Sequence, residues 1–249
     1  MIVVLGGQGR STRIVIDYLA RDFDVTAIVE RPVPASQILR RRVKKLGNLA
    51  VVGQAIFIIF SRFQTRLCRK RVQEIERINS MNPSVPEHVV MHNVCSANDE
   101  ETITLLRELA PEVVVVNGTR ILSARILQCI PAAFINTHAG ITPKYRGVHG
   151  AYWAYFRDDA SNAGVTVHLV DPGIDTGGVL YQAAIKPELA DCFSTYPSLQ
   201  LAAGLPFLKR AVQDGQAGRL VVTMPGHSSE LFYHPTLWQD LRAYVRGVR

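Results

Sequence analysis

Several features are scarce in this sequence, and each scarcity excludes something. The 249 residues contain four cysteines, Cys68, Cys95, Cys129 and Cys192. They are widely spaced and form no CxxC pair, which argues against a disulfide framework and reads as reduced thiols in a cytosolic protein. The seven histidines include one HxxxH spacing, His88 and His92, but it falls on an expected strand, where four residues of extended chain hold the two rings too far apart to share a metal, so no metal site is expected. No apolar run reaches the roughly 18 residues of a membrane-spanning helix. The opening MIVVLGGQGRS lacks the basic start and the cleavage site of a secretory signal. Repeats and low-complexity tracts are absent. Acids are missing from one place above all. Between Arg31 and Arg71 there are eleven Arg and Lys and no Asp or Glu, so the net charge of +7 belongs to that stretch and the rest of the chain is net acidic. Few aromatics interleave with those cations, which argues against a base-stacking surface, and no nucleic-acid partner is expected.

What is present reads as α/β. Ile2 to Leu5 is a short buried strand, followed by the glycine turn Gly6-Gly7-Gln8-Gly9-Arg10-Ser11-Thr12 and a helical pattern from Ile14. Strand, glycine turn and helix open a doubly wound sheet. Such a turn offers backbone N–H groups to an anion, which makes Gly9, Arg10 and Ser11 candidate substrate contacts; a tight turn with no ligand is the competing reading. Val25 to Val29 is a second strand. Glu30 stands where dinucleotide folds carry a ribose-binding acid, but the turn is not GxGxxG and NAD is not expected. Further strands are expected at Val89–His92, Glu112–Val116, Ala132–Ile135, Val165–Val170, Val179–Ile185 and Leu220–Thr223. Helices are expected from a Ser36 cap, from a Ser96 or Asn98 cap to Leu109, over Ser123–Cys129, Val148–Arg157 and Tyr196–Val212, and in the tail after Ser228. The length suits one domain over 1–249. Within it, 31–77 is a basic helical insert and 186–249 a C-terminal extension.

The insert places an apolar run, Leu49 to Phe60, between two basic clusters. It admits three readings: a helical excursion packed on the sheet with its cations solvated, an anchor at a membrane surface through 31–71, or a site for an anionic substrate.

The chemistry concentrates between Phe134 and Gly178. Asn136 and His138 are two apart after a strand, so they share a face. Asp175 lies in a glycine-rich turn after another strand. An Asn donor, a His and an Asp that converge can run acyl transfer to an amine: donors stabilise the oxyanion, and the carboxylate orients His and handles a proton. Lys144 and Arg146 occupy the intervening loop and are candidate substrate contacts. His168 lies on a strand, where it reads as support for the catalytic groups. The helix aromatics Tyr152, Trp153, Tyr155 and Phe156 read mostly as core, and His149 and His234 as structural.

Taken together, Asn136-x-His138, then PKYRG at 143–147, then VHLVDPGIDTGG at 167–178 resemble the catalytic region of the folate-dependent formyltransferases. That family includes glycinamide ribonucleotide transformylase, methionyl-tRNA formyltransferase and the amino-sugar N-formyltransferases. Gly118-Thr119-Arg120-Ile121-Leu122-Ser123 is similar to the family's folate-pocket segment. The resemblance implies a Rossmann-like, mostly parallel sheet with helices on both faces, and an enzyme using 10-formyltetrahydrofolate. It implies catalytic roles for Asn136, His138 and Asp175. It also implies a pterin site formed by Arg120, Ile121, Leu122, Val170, Asp171 and Ile174. The implied partner is a small-molecule amine. The length does not suit the two-domain plan of the tRNA enzyme, and the basic insert is foreign to the purine enzyme, so an amino sugar, free or nucleotide-linked, is the expected acceptor. The competing readings are glycinamide ribonucleotide as acceptor, a formyltetrahydrofolate hydrolase, and a non-catalytic relative that binds an anion or a membrane surface. A cytoplasmic location is expected, with or without contact to the inner face of a membrane, and a homodimer is left open.

Overall fold

The protein is described from a computed structural model that covers residues 1–245. Residues 246–249, the end of the C-terminal extension, lie outside the described residues, as do the side chains of Arg41 and Leu46 in the basic insert and of Tyr244.

The strands, in chain order, are β1 (Ile2–Gly7), β2 (Val25–Glu30), β3 (Val90–Val94), β4 (Val113–Asn117), β5 (Ala133–His138), β6 (Arg146–Gly147), β7 (Gly164–Leu169), β8 (Val179–Ala184) and β9 (Leu231–Phe232). Seven form one sheet in the order β3-β2-β1-β4-β5-β7-β8. Strands β1 to β5 pair in parallel, whereas β7 runs antiparallel to both β5 and β8. The apolar runs VVLG and VVVV are buried along their length because helices cover both faces. Alternation sorts their side chains. Val113 and Val115 join the core under α1 (Arg10–Ala20) and α8 (Tyr196–Gln216). Val114 and Val116 join the opposite core, under α5 (Glu100–Leu109) and α6 (Ala124–Leu127). The order reverses between β1 and β4, and the carboxyl ends of β1, β4 and β5 open at the same edge, where doubly wound sheets hold ligands.

Three local expectations need correcting. Ser36 is not a cap: α2 (Ala35–Leu46) starts from Pro34, whose carbonyl accepts the first N–H groups of the helix. Neither Ser96 nor Asn98 caps α5. Asp99 takes that place, while the Ser96 hydroxyl accepts the Asn98 N–H and the Asn98 side chain reaches across to residues 121 and 123. Leu220–Thr223 does not form a strand of the sheet; it contributes a single bridge, Thr223 to Val179. No residue pattern pointed to β9, which pairs with β6 and so joins the tail to the loop after β5.

The insert comprises α2, α3 (Asn48–Leu67) and α4 (Arg69–Ile78). The expectation that it packs on the sheet is not met by α3. Its buried Phe57 lies in a third cluster with Tyr152 and Trp153 of α7 (Gly150–Phe156), Phe193 and Phe232, apart from the two cores that flank the sheet. The Phe57 and Phe193 rings meet edge to face at 5.0 Å. Such pairs contribute about 0.5–1.5 kcal/mol beyond area burial. The thiols of Cys68 and Cys192 lie 2.8 Å apart at the same junction. Arg71 makes a two-pronged pair with the fully buried Asp191 carboxylate at 2.9 and 3.1 Å. Burial by itself would raise the Asp191 pKa, but Arg71 and the Glu188 N–H bring it below the ordinary carboxylate value.

Two outcomes follow from this packing. Arg71→Ala leaves a buried carboxylate without its cation, so it should destabilise the fold by about 3 kcal/mol or more. Arg71→Lys, which keeps the charge but loses the fork, should recover only part of that. Urea melts of the two variants check both statements. The second outcome concerns pH. His149 and His234 share a 2.9 Å hydrogen bond. Burial, then the neighbouring His234, takes His149 down to about 3; burial, then Arg42, takes His234 down to about 4. The unfolded chain titrates these groups near about 6.5, so below that pH it binds protons the folded state refuses. Stability should be full above about pH 6.5 and fall on acidification, by up to roughly 1.4 kcal/mol per pH unit for each group. Melts at neutral and mildly acidic pH with His234→Gln as reference measure that slope.

Candidate active site

The site begins with a register. β5 pairs antiparallel with β7 so that Asn136 faces His168 and His138 faces Thr166. Directly opposed residues on such a pair are within side-chain reach. Asn136 Nδ2 lies 3.2 Å from His168 Nε2. His168 Nδ1 lies 2.7 Å from the Leu169 carbonyl oxygen. A carbonyl only accepts, so Nδ1 carries the proton and Nε2 presents a lone pair. Asn136 must therefore turn its NH2 toward His168. One amide N–H is spent there, and the second remains to serve the cavity. Burial above all holds the His168 pKa below its ordinary value, which keeps that lone pair available near neutrality.

His138 is buried, with Nε2 2.9 Å from the Tyr145 carbonyl and Nδ1 3.2 Å from Asp175 Oδ2. Both partners accept, an arrangement fully satisfied by a ring carrying a proton on each nitrogen. Asp175 Oδ2 also receives the Gly147 N–H at 3.0 Å, and its Oδ1 is 3.8 Å from His168 Nε2. Burial opposes ionisation of Asp175, but His138, the Gly147 N–H and His168 outweigh it and lower its pKa. Asp175 has φ of 52°, a left-handed conformation that Asp adopts more readily than most residues. Gly147 has φ of +94°, and a Cβ there would stand 2.3 Å from the Phe232 carbonyl oxygen. The β6–β9 pairing thus admits only glycine at the residue whose N–H holds the Asp175 carboxylate.

A cavity of about 380 Å³ brings Asn136, His138 and Asp175 together with Arg120, Ile121, Leu122, Val170, Asp171 and Ile174. Its walls are set from below. Glu30 accepts both the backbone N–H of Arg120, at 2.7 Å, and its Nε, at 2.5 Å. Asn98 donates to the Ile121 carbonyl and accepts the Ser123 N–H. Glu30 is therefore occupied as a clamp for the 120–123 segment. The Asp171 carboxylate accepts the Gly173 N–H and the Thr176 hydroxyl, which shapes the opposite wall.

The five candidate substrate contacts fall elsewhere. Gly9 caps α1 through its backbone, Ser11 accepts a hydrogen bond from Asn117, and Arg10 is forked onto Glu76 at 2.8 and 2.6 Å. Lys144 pairs with Asp159 at 2.6 Å. Arg146 donates to the Ile174 carbonyl and so braces the Asp175 turn. None of the five lines the cavity; a second cavity beside the glycine turn is walled instead by Gln8, Thr12, Arg13 and Asn93, among others. Glu30, Asn98, Gly147 and the Tyr145 carbonyl were missed as site-forming groups. Glu30 and Asn98 act across long sequence separations, which leave no motif, and Tyr145 and Gly147, although inside the PKYRG motif, act through backbone atoms that a side-chain reading does not single out. The helix aromatics Tyr152, Trp153, Tyr155 and Phe156 do not reach the cavity.

The tautomer of His168 can be read directly. In long-range ¹H–¹⁵N spectra, His168 should show a protonated Nδ1 and a bare Nε2 near neutral pH. It should titrate below the ordinary histidine value of about 6.5. A protonated Nε2 at neutral pH would remove the constraint on Asn136.

Comparison with known proteins bears on the fold and the family. The family model described as formyl transferase matches residues 67–195. A methionyl-tRNA formyltransferase from Caldanaerobacter subterraneus subsp. tengcongensis is 34% identical over 145 residues, which is 58% of this chain and 46% of that protein. The chain thus spans about half the length of the curated relatives it matches. Among solved structures, phosphoribosylglycinamide formyltransferase from Anaplasma phagocytophilum aligns with a TM-score of 0.56 at 17% identity, covering 93% of this chain and 96% of that one. An N-formyltransferase from Helicobacter canadensis, solved with folinic acid and dTDP-3-aminofucose, aligns with a TM-score of 0.57 at 17% identity, over 93% of this chain and 71% of that one. At such identities the two structures speak to the fold. The matched region of the family model runs over half the chain and encloses every group that lines the Asn136–His138–Asp175 cavity, and on that ground this protein is a member of the formyl transferase family.

Proposed function

We propose that this chain transfers a formyl group from 10-formyltetrahydrofolate to the amine of an amino sugar bearing an anionic group, such as a nucleotide-linked amino sugar. The observation that carries the reading is the convergence of Asn136, His138 and Asp175 on one cavity whose remaining walls are the 120–122 and 170–174 segments. Those walls suit a flat heterocycle. Leu122 and Val170 supply apolar surface, and the backbone around them supplies donors and acceptors to an edge.

In this reading the amine lone pair attacks the formyl carbon, a C–N bond forms, and the carbonyl electron pair moves onto oxygen. Asn136 Nδ2 donates its second N–H to that oxygen. Both ring nitrogens of His138 are engaged, so His138 acts by its charge beside the developing oxyanion. Asp175, kept ionised by its neighbours, accepts the proton that the attacking amine sheds, directly or through one water. The bond from the formyl carbon to the folate nitrogen then breaks, and that nitrogen takes up a proton. One oxyanion donor contributes about 10²–10³ in rate, and the proton transfer about 10²–10⁴.

Arg146, next to the cavity-lining Gly147 though not itself in the wall, is the cation that favours an anionic acceptor. Its guanidinium braces Ile174, has no carboxylate partner among the described residues, and leaves Nε buried and unpaired. Arg10 and Lys144, by contrast, already have acidic partners.

The test is tetrahydrofolate release from 10-formyltetrahydrofolate against a panel of amines: amino sugar nucleotides, glycinamide ribonucleotide, free amino acids, and none. Release should require an amino sugar nucleotide. It should fall about 10²–10³-fold in Asn136→Ala and by a similar factor or more in Asp175→Asn, with folate binding retained. Faster formylation of glycinamide ribonucleotide would sink the acceptor assignment, and release with no amine would identify a hydrolase.

A further inference from the structure

The insert carries a surface that formyl transfer does not use. α3 is apolar on two sides. Val51, Gln54 and Phe57 face inward and are buried. On the other side Leu49, Val52, Ile56, Ile59, Phe63 and Leu67 recur every three or four residues, which aligns them in one stripe, and all are 46–91% exposed. Twenty residues of helix make that stripe about 30 Å long. α9 (Leu237–Val245) packs against α3 and repeats the pattern, with Trp238, Leu241 and Val245 exposed at i, i+3 and i+7. Two adjoining helices therefore each leave a regular apolar stripe uncovered, which is more than scattered surface residues would give.

Charge identifies what covers it. Arg62 and Arg66 flank the stripe on α3, Arg69 and Lys70 follow it on α4, and Arg40 and Lys44 precede it on α2. All six are exposed, and none is in an ion pair among the described residues. No acid occurs from Arg31 to Arg71. A face built for another protein, or for a second copy of this net-mixed chain, has little reason to exclude every carboxylate over forty residues. An apolar layer beneath negative headgroups is matched by such a face, with the long cationic side chains reaching the headgroups. No helix of the described residues is long and apolar enough to cross a membrane, so the helices lie in the interface. From this we infer that α3 and α9 form a docking surface by which the protein rests on an anionic phospholipid bilayer.

The test uses the full chain and vesicles of phosphatidylglycerol with phosphatidylcholine, against phosphatidylcholine alone. The protein should co-sediment with the anionic vesicles, and less so as salt rises. Binding should fall about tenfold or more in Ile59→Ser/Phe63→Ser and in Arg62→Gln/Arg66→Gln/Arg69→Gln/Lys70→Gln. Both variants change only exposed side chains, and unchanged thermal melts verify their fold. A readout free of insert variants comes from tryptophan. The chain has two, Trp153 buried and Trp238 73% exposed. In the wild-type chain, anionic vesicles should shift the emission to the blue, and brominated acyl chains should quench it. Trp238→Phe should lose that response while still sedimenting. The inference is overturned if the wild-type chain stays in the supernatant with anionic vesicles, or if both multiple variants bind undiminished. It is equally overturned if the chain dimerises through the stripe, dispersed by Ile59→Ser/Phe63→Ser, while binding no lipid. None of these outcomes depends on formyl transfer, so failure here and failure of the catalytic reading are separable.

Discussion

The site depends on the antiparallel pairing of β5 with β7 at the edge of an otherwise parallel set. A parallel neighbour in that place would have needed a crossover helix and would have brought a different residue beside Asn136. The antiparallel register sets His168 directly across from it. His168, fixed by the Leu169 carbonyl, then dictates which way the Asn136 amide points. The same strand end carries His138, and the turn between β7 and β8 returns Asp175 to it. One pairing thus brings an amide, an imidazole and a carboxylate to one cavity.

Around that pairing the protein uses buried carboxylates as clamps. Glu30 fixes the 120 segment, and Asp191 fixes the insert through Arg71. Asp175, tied to Gly147 and His138, is held in the same manner but faces a cavity. The clamps also explain why several cations chosen from sequence do not face substrate. Arg10 and Lys144 look free in one dimension, yet each meets an acid far away in the chain, Glu76 and Asp159. Desolvating a carboxylate without a partner costs several kcal/mol, so a fold that buries acids recruits nearby arginines and lysines first.

The tail contributes more than its composition suggested. β9 closes on β6 and brings Phe232 against Gly147, so the loop that supports Asp175 is built partly by residues more than eighty positions downstream. The same tail ends in α9 on the insert. The cavity edge and the exposed apolar face are thereby joined through one aromatic cluster containing Phe57, Trp153 and Phe232. The exposed apolar face of the insert and the cavity share that core.

By itself the sequence determined the parts that rest on local pattern. The valine runs specified buried parallel strands, because only a strand covered on both faces can be apolar throughout. The two-residue spacing of Asn136 and His138 specified a shared face, and the glycine-rich turn marked Asp175. The resemblance in those motifs was sufficient to reach the family. The acid-free cationic stretch with its apolar run stood out as an insert, with packing on the sheet, a membrane anchor and an anion site all open as readings. What only the tertiary structure decided were the relations between distant segments. These include the pairing of Arg10 with Glu76, the use of Glu30 and Asn98 to hold the cavity wall, the closure of β9 on β6, and the packing of α3 on aromatics rather than on the sheet. The physical reason is common to all of them. Hydrogen bonds and ion pairs between remote residues are chosen by where the chain brings buried polar groups that must be satisfied, and a linear sequence records each group's need without recording which partner will meet it.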